Sequence, residues 1–153
     1  MLATNHVLAG ALIGRAMTGH PARAFGAGVV SHLVMDALPH WGVDMRAPGA
    51  RQVFYEVATV DGLCLTAALL ALRRGGASQA ELAGALGGLC LDLDKPAALL
   101  GVRQLWPSPL HRVHVGIQRH EDPRRWRIDV TAALAMTAAL RVVASRRRAA
   151  AGR

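Results

Sequence analysis

Histidine and aspartate recur along this chain at spacings that suit a metal ion. His32-x-x-x-Asp36 sets an imidazole and a carboxylate side by side on one helix face, a donor pair for a divalent cation. His111-x-x-His114 is also compatible with a helix, and Asp92-Leu93-Asp94 offers two carboxylates where a helix end can turn the second inward. His6 interrupts the first apolar stretch. Asp61 has only Val57, Ala58, Cys64 and Leu65 as its i±3 and i±4 neighbours, so an ionised carboxylate there is costly unless paired or bound to a cation. Each feature has a plainer reading taken alone: a structural His–Asp hydrogen bond, a solvated helix terminus, a packing histidine. Convergence favours the metal.

The candidate ligands are therefore His6, His32, Asp36, Asp61, Asp92, Asp94, His111 and His114, with zinc the first choice and manganese the alternative. A metal would make hydroxide available near neutral pH. Asp94 or His114 would then serve as general base or leaving-group acid, and Arg112 as a bidentate contact for an anionic phosphate.

Helices must bring these residues together. Apolar periodicity, Pro and Gly mark five segments at about residues 4–17, 22–38, 53–72, 78–93 and 123–145, with a short one near 111–118. Ser78 with Glu81 has the capping-box spacing. The Pro-punctuated stretch 95–109 reads as irregular, and His40, Trp41 and Asp44 as a rim or interface-anchoring loop. Three helices carry small residues and a polar group four apart: His6, Gly10, Gly14; Ala24, Gly28, His32, Asp36; and Gly84, Gly88, Asp92. Such stripes let helices approach closely, and in an up-and-down bundle the polar ends fall on one side.

Composition sets the surroundings. Hydrophobic residues make up 52% of 153 and aromatics 4%, so the apolar content is mostly Ala, Leu and Val. That favours an all-α, compact bundle of about five helices, membrane-embedded or membrane-associated. The segments 57–72 and 128–144 approach the ~20 residues of a full crossing. Lys and Arg divide evenly between the two sides of a five-helix path, so orientation is not set. All but one of the eighteen basic residues are Arg, and the net charge of +8 is dispersed apart from Arg124, Arg125, Arg127 and the tail Arg146, Arg147, Arg148. Anionic lipid accounts for these clusters as readily as nucleic acid, and with little aromatic surface for base stacking no nucleic acid is expected. Cys64 and Cys90, each inside an apolar segment, read as two reduced, buried thiols. Residues 1–145 form one helical metal-binding domain and 146–153 a basic tail.

The run Ser31-His32-Leu33-Val34-Met35-Asp36-Ala37-Leu38-Pro39-His40-Trp41-Gly42 resembles the YdjM-like family of bacterial inner-membrane proteins regarded as metal-dependent hydrolases. Thr4-Asn5-His6 matches the family's first-helix Thr-His element, Leu91 to Asp94 its PDxD element in part, and His111-Arg112 its HR segment. Leu91 replaces the usual Pro, Lys95 stands where a His is common, and His114 is closer to His111-Arg112 than in the family motif. The family is distantly similar to zinc-dependent phospholipase C-like proteins. The resemblance implies a hydrolase of the cytoplasmic membrane acting on phosphoester or lipid-linked substrates, with membrane lipids as neighbours. The alternative is a non-catalytic scaffold or partner-binding protein with a structural metal or a buried polar network.

Overall fold

The computed structural model describes residues 1–44, 46–99, 101, 105–118 and 120–151, and for residues 98, 99, 146–148, 150 and 151 the backbone alone. The chain is all-helical among these residues: α1 (Ala3–Ala16), α2 (Pro21–Ala37), α3 (Ala50–Arg74), α4 (Gln79–Leu89), α5 (Asp94–Leu99), α6 (Ser108–Ile117) and α7 (Trp126–Ala151). A 3-10 turn, Cys90–Leu93, joins α4 to α5, and another, Pro123–Arg125, leads into α7.

Local chemistry explains the breaks. Gly19 takes a left-handed φ of 84° after α1, and Pro21 starts α2 at a position where its missing N–H costs nothing. Pro39 follows the Leu38 cap of α2, whose extended backbone is the one a residue before proline favours. Gly76, at φ 73°, reverses the chain after α3, and Ser78 and Glu81 form a complete capping box on α4.

Helices α1, α2 and α4 form the centre, with α1 and α2 both laid against α4. The small-residue stripes make this contact. A Cβ on Gly84 would strike the Gly10 carbonyl, and one on Gly88 would strike that of His6. Only glycine lets the backbones approach so closely. Every buried residue of α2 (Ala24, Gly28, His32 and Asp36) belongs to its stripe. An apolar cluster of Val7, Leu8, Ala11, Ala85 and Leu140 fills the other half of the bundle.

Helices α3 and α7 are the outer ones. Their segments Ala50–Arg74 and Pro123–Ser145 are long and apolar enough to cross a membrane, and only 0% and 11% of their apolar windows are buried. Leu63 and Leu134 are 69% and 67% exposed, and Cys64, expected to be buried, lies exposed on the same outer helix as Leu63, with Cys90 half-buried.

Two sequence expectations need correction. The α-helix of 78–93 ends at Leu89, and the tighter 3-10 turn carries Asp92 onward. The stretch 95–109, read as irregular, contains α5 and the start of α6; residues 100 and 102–104 within it lie outside the described residues. The backbone of the basic tail continues α7 to Ala151, while the side chains of Arg146, Arg147 and Arg148, and residues 152–153, lie outside what is described.

Candidate metal centre

Asp36 is the centre of the cluster. It sits on the last turn of α2, fully buried, with its two oxygens turned to different partners. Oδ1 accepts from the Met1 nitrogen at 2.8 Å and faces His6 Nε2 at 3.1 Å. Oδ2 faces His32 Nε2 at 3.2 Å and His114 Nε2 at 3.1 Å, and accepts from Gln118 Nε2 at 2.8 Å. His32 Nε2 and His114 Nε2 are 2.9 Å apart. His6 and His32 stack with ring centroids 3.8 Å apart and planes 22° from parallel. Asp92 adds Oδ2 at 4.0 Å from His6 Nε2, while its Oδ1 pairs with Lys95 Nζ at 2.7 Å.

Two triads of ligand-type atoms result, His32–Asp36–His114 and His6–His32–Asp92, all buried, and these groups could hold a metal ion. The first triad has edges of 2.9, 3.1 and 3.2 Å, close to the roughly 3.3 Å ligand–ligand separation implied by tetrahedral zinc with bonds of about 2.0–2.1 Å. His32 Nδ1 donates to the Gly88 carbonyl at 2.6 Å, which leaves the Nε2 lone pair turned into the cluster. His40 Nδ1 likewise donates to the Leu38 carbonyl at 2.7 Å. Its Nε2 is buried without a hydrogen-bond partner, as is Asp92 Oδ2. Buried acceptors without hydrogen bonds on the edge of the cluster fit a cation.

The electrostatics agree. Burial pushes His6 down to about 4, so its imidazole is neutral near pH 7, the form that binds a metal. Burial opposes ionisation of Asp36, but its close contacts with the His114, His32 and His6 imidazoles outweigh that and hold the carboxyl far below the usual carboxylate range. Asp92 is also held low: burial opposes its charge, and the nearby Lys95 ammonium overcomes that.

Of the sequence candidates, the structure joins His6, His32, Asp36, Asp92 and His114, and takes three elsewhere. Asp61 accepts from the backbone N–H groups of Ala3 at 2.8 Å and Thr4 at 3.2 Å, which makes it the cap of α1, supplied from α3. The first N–H groups of a helix need acceptors, and this explains an acid on an apolar face without a metal. Asp94 and His111 pair with each other at 2.9 Å, and the other Asp94 oxygen accepts from Leu105 N at 3.0 Å. Arg112 is exposed and lies two positions from His114, hence on a different face of α6.

Sequence reasoning missed His40, Gln118 and Lys95 as neighbours of the cluster. Gln118 follows His114 by four residues, a signal that was there to use; His40 was assigned to a rim, yet is fully buried.

Two cavities adjoin the cluster. The smaller and more polar of the two, about 260 Å³, is lined by Met1, Trp41, Lys95, Gln118 and Glu121 among others. A larger apolar groove of about 420 Å³ runs along α3 past Phe54, Val57, Ala58 and Leu65, with Asp92 and Lys95 also in its wall. Comparison with protein-family models, with curated proteins and with solved structures finds no match.

Proposed function

We propose that this protein is a metal-dependent hydrolase of the bacterial cytoplasmic membrane acting on phosphoesters of amphiphilic, lipid-like molecules. The observation that carries the reading is the buried meeting of three imidazole Nε2 atoms with the Asp36 and Asp92 carboxylates beside an apolar groove. His32, Asp36 and His114 would hold the ion, zinc in the first instance and manganese as the alternative. A divalent ion there supplies Lewis-acid chemistry and a hydroxide nucleophile near neutral pH.

The protein's own groups account for the rest. Lys95, shared by both cavities, meets the anionic group, and the groove along α3 takes the apolar chain. Glu121 lines the polar cavity 3.4 Å from His40 Nε2 and is the group we assign to take up a proton. Asp94, engaged through both oxygens, and His114, turned into the ligand cluster, are less suited to that role. Membrane residence is supported by α3 and α7, whose large apolar side chains face outward.

The rival is a non-catalytic scaffold, favoured by the hydrogen bonds that already surround Asp36. Metal-loaded protein in detergent, offered a short-chain phospholipid and a water-soluble phosphoester, separates the two. The hydrolase reading expects turnover of the phospholipid that a chelator stops, zinc or manganese restores and Asp36→Asn abolishes. Fully loaded protein that cleaves neither substrate leaves the scaffold.

A further inference from the structure

We infer that the cluster is built for two ions, with Asp36 bridging them. The inference rests on the metal reading above and concerns how many ions the residues hold.

The two Asp36 oxygens serve separate sets of imidazoles. Oδ2 faces His32 and His114, with Gln118 beside them. Oδ1 faces His6 at 3.1 Å and His40 at 4.0 Å, and accepts from the Met1 nitrogen at 2.8 Å, the contact that a second ion would displace. A carboxylate that offers one oxygen to each of two donor sets is a bridging ligand in form.

Ring geometry points the same way. His6 and His32 are stacked 3.8 Å apart and only 22° from parallel. Each turns Nε2 toward its own Asp36 oxygen, so the two nitrogens stand side by side. Nearly parallel rings at that spacing suit two ions about 3.5–4 Å apart, the separation of two-metal hydrolytic sites.

The second set also has its own acid and its own buried atoms without hydrogen bonds. Asp92 Oδ2, buried and without a hydrogen bond, lies 4.0 Å from His6 Nε2. His40 Nε2 is buried without a hydrogen bond, between Asp36 Oδ1 at 4.0 Å and Glu121 at 3.4 Å, and its Nδ1 is tied to the Leu38 carbonyl just as His32 Nδ1 is tied to Gly88. The first ion thus takes His32, His114 and Asp36 Oδ2. The second takes His6, His40, Asp92 and Asp36 Oδ1.

The test is a count. Chelator-stripped protein in detergent is titrated with zinc and the bound metal measured by elemental mass spectrometry; a parallel sample loaded with manganese is examined by electron paramagnetic resonance. Two zinc equivalents per chain and an exchange-coupled manganese spectrum are expected. His40→Ala and His114→Ala should each retain one equivalent and give an uncoupled spectrum. One equivalent in the wild type, with an uncoupled spectrum, overturns the pair and leaves the single metal site standing. No bound metal overturns both. The wild-type count and spectrum decide the matter even if a variant fails to fold.

Discussion

His32 Nδ1 lies 2.6 Å from the carbonyl oxygen of Gly88, and that one bond ties the aim of an imidazole to the closeness of two helices. The ring reaches the carbonyl because α2 lies directly on α4, and α4 can lie there because its stripe has no side chains. A Cβ at position 88 would meet the His6 carbonyl of α1. Gly88→Ala should therefore spread α1 from α4, lower stability by about 1–3 kcal/mol as overpacking does, and weaken metal binding. Thermal unfolding and bound-metal measurements on the same sample check this. An unchanged melting temperature would mean the helices are not in such close contact.

Asp61 is predicted to be a cap and not a ligand. Asp61→Ala should cost about 1–2 kcal/mol, the usual range for losing a helix N-cap, because the Ala3 and Thr4 N–H groups lose their acceptor. Metal content should stay at the wild-type level. Loss of metal at unchanged stability would return Asp61 to the ligand set.

Glu81 supplies the pH dependence. It is fully buried, closes the capping box with Ser78 and pairs with Arg15, which also donates to the Leu140 carbonyl of α7 at 2.9 Å. Burial opposes its charge, but the Ser78 backbone, the Arg15 guanidinium and the Ser78 hydroxyl together hold it below its ordinary 4.5. With the folded value depressed, the stabilisation is complete above 4.5 and is lost as pH falls from there through the folded value. Arg15→Ala should lower stability at pH 7 by about 3 kcal/mol, the lower end for breaking a buried pair, and flatten the decline below pH 4.5. Denaturant unfolding at pH 7 and pH 3.5 measures both.

The site's near half was legible in the sequence because helical spacing is local. Ala24, Gly28, His32 and Asp36 stand four apart, and together they are the whole buried face of α2. His6, Gly10 and Gly14 on α1, and Gly84 and Gly88 on α4, followed the same rule and proved equally buried. What spacing could not convey was the partner of each polar group. Asp61 looked unpaired because its partners are backbone N–H groups 57 and 58 residues away. His40 looked peripheral because it follows Pro39 into a loop, yet its backbone pairs with the segment at 120–122, and that pairing holds the ring beside Asp36. Asp94 was expected to turn inward with Asp92, but the 3-10 turn and α5 send the two carboxylates to different neighbours.

Lys95 tests the substrate side. Its Nζ pairs with Asp92 Oδ1 and it lines both cavities. Lys95→Met should leave metal content intact and raise KM for an anionic amphiphile about tenfold, the effect of losing roughly 1.4 kcal/mol of binding, with a smaller change in kcat. Steady-state kinetics on the metal-loaded variant provide the measurement. An unaltered KM would place the anionic group elsewhere.

The most direct test of the metal centre is bound metal per chain, by elemental mass spectrometry, in detergent-purified wild type beside His32→Ala/Asp36→Ala. Near-stoichiometric or greater zinc or manganese in the wild type, absent from a folded double variant, is the predicted result. Wild-type protein that is folded and still binds no metal after incubation with excess ions would contradict it, and the cluster would then be a buried hydrogen-bond network.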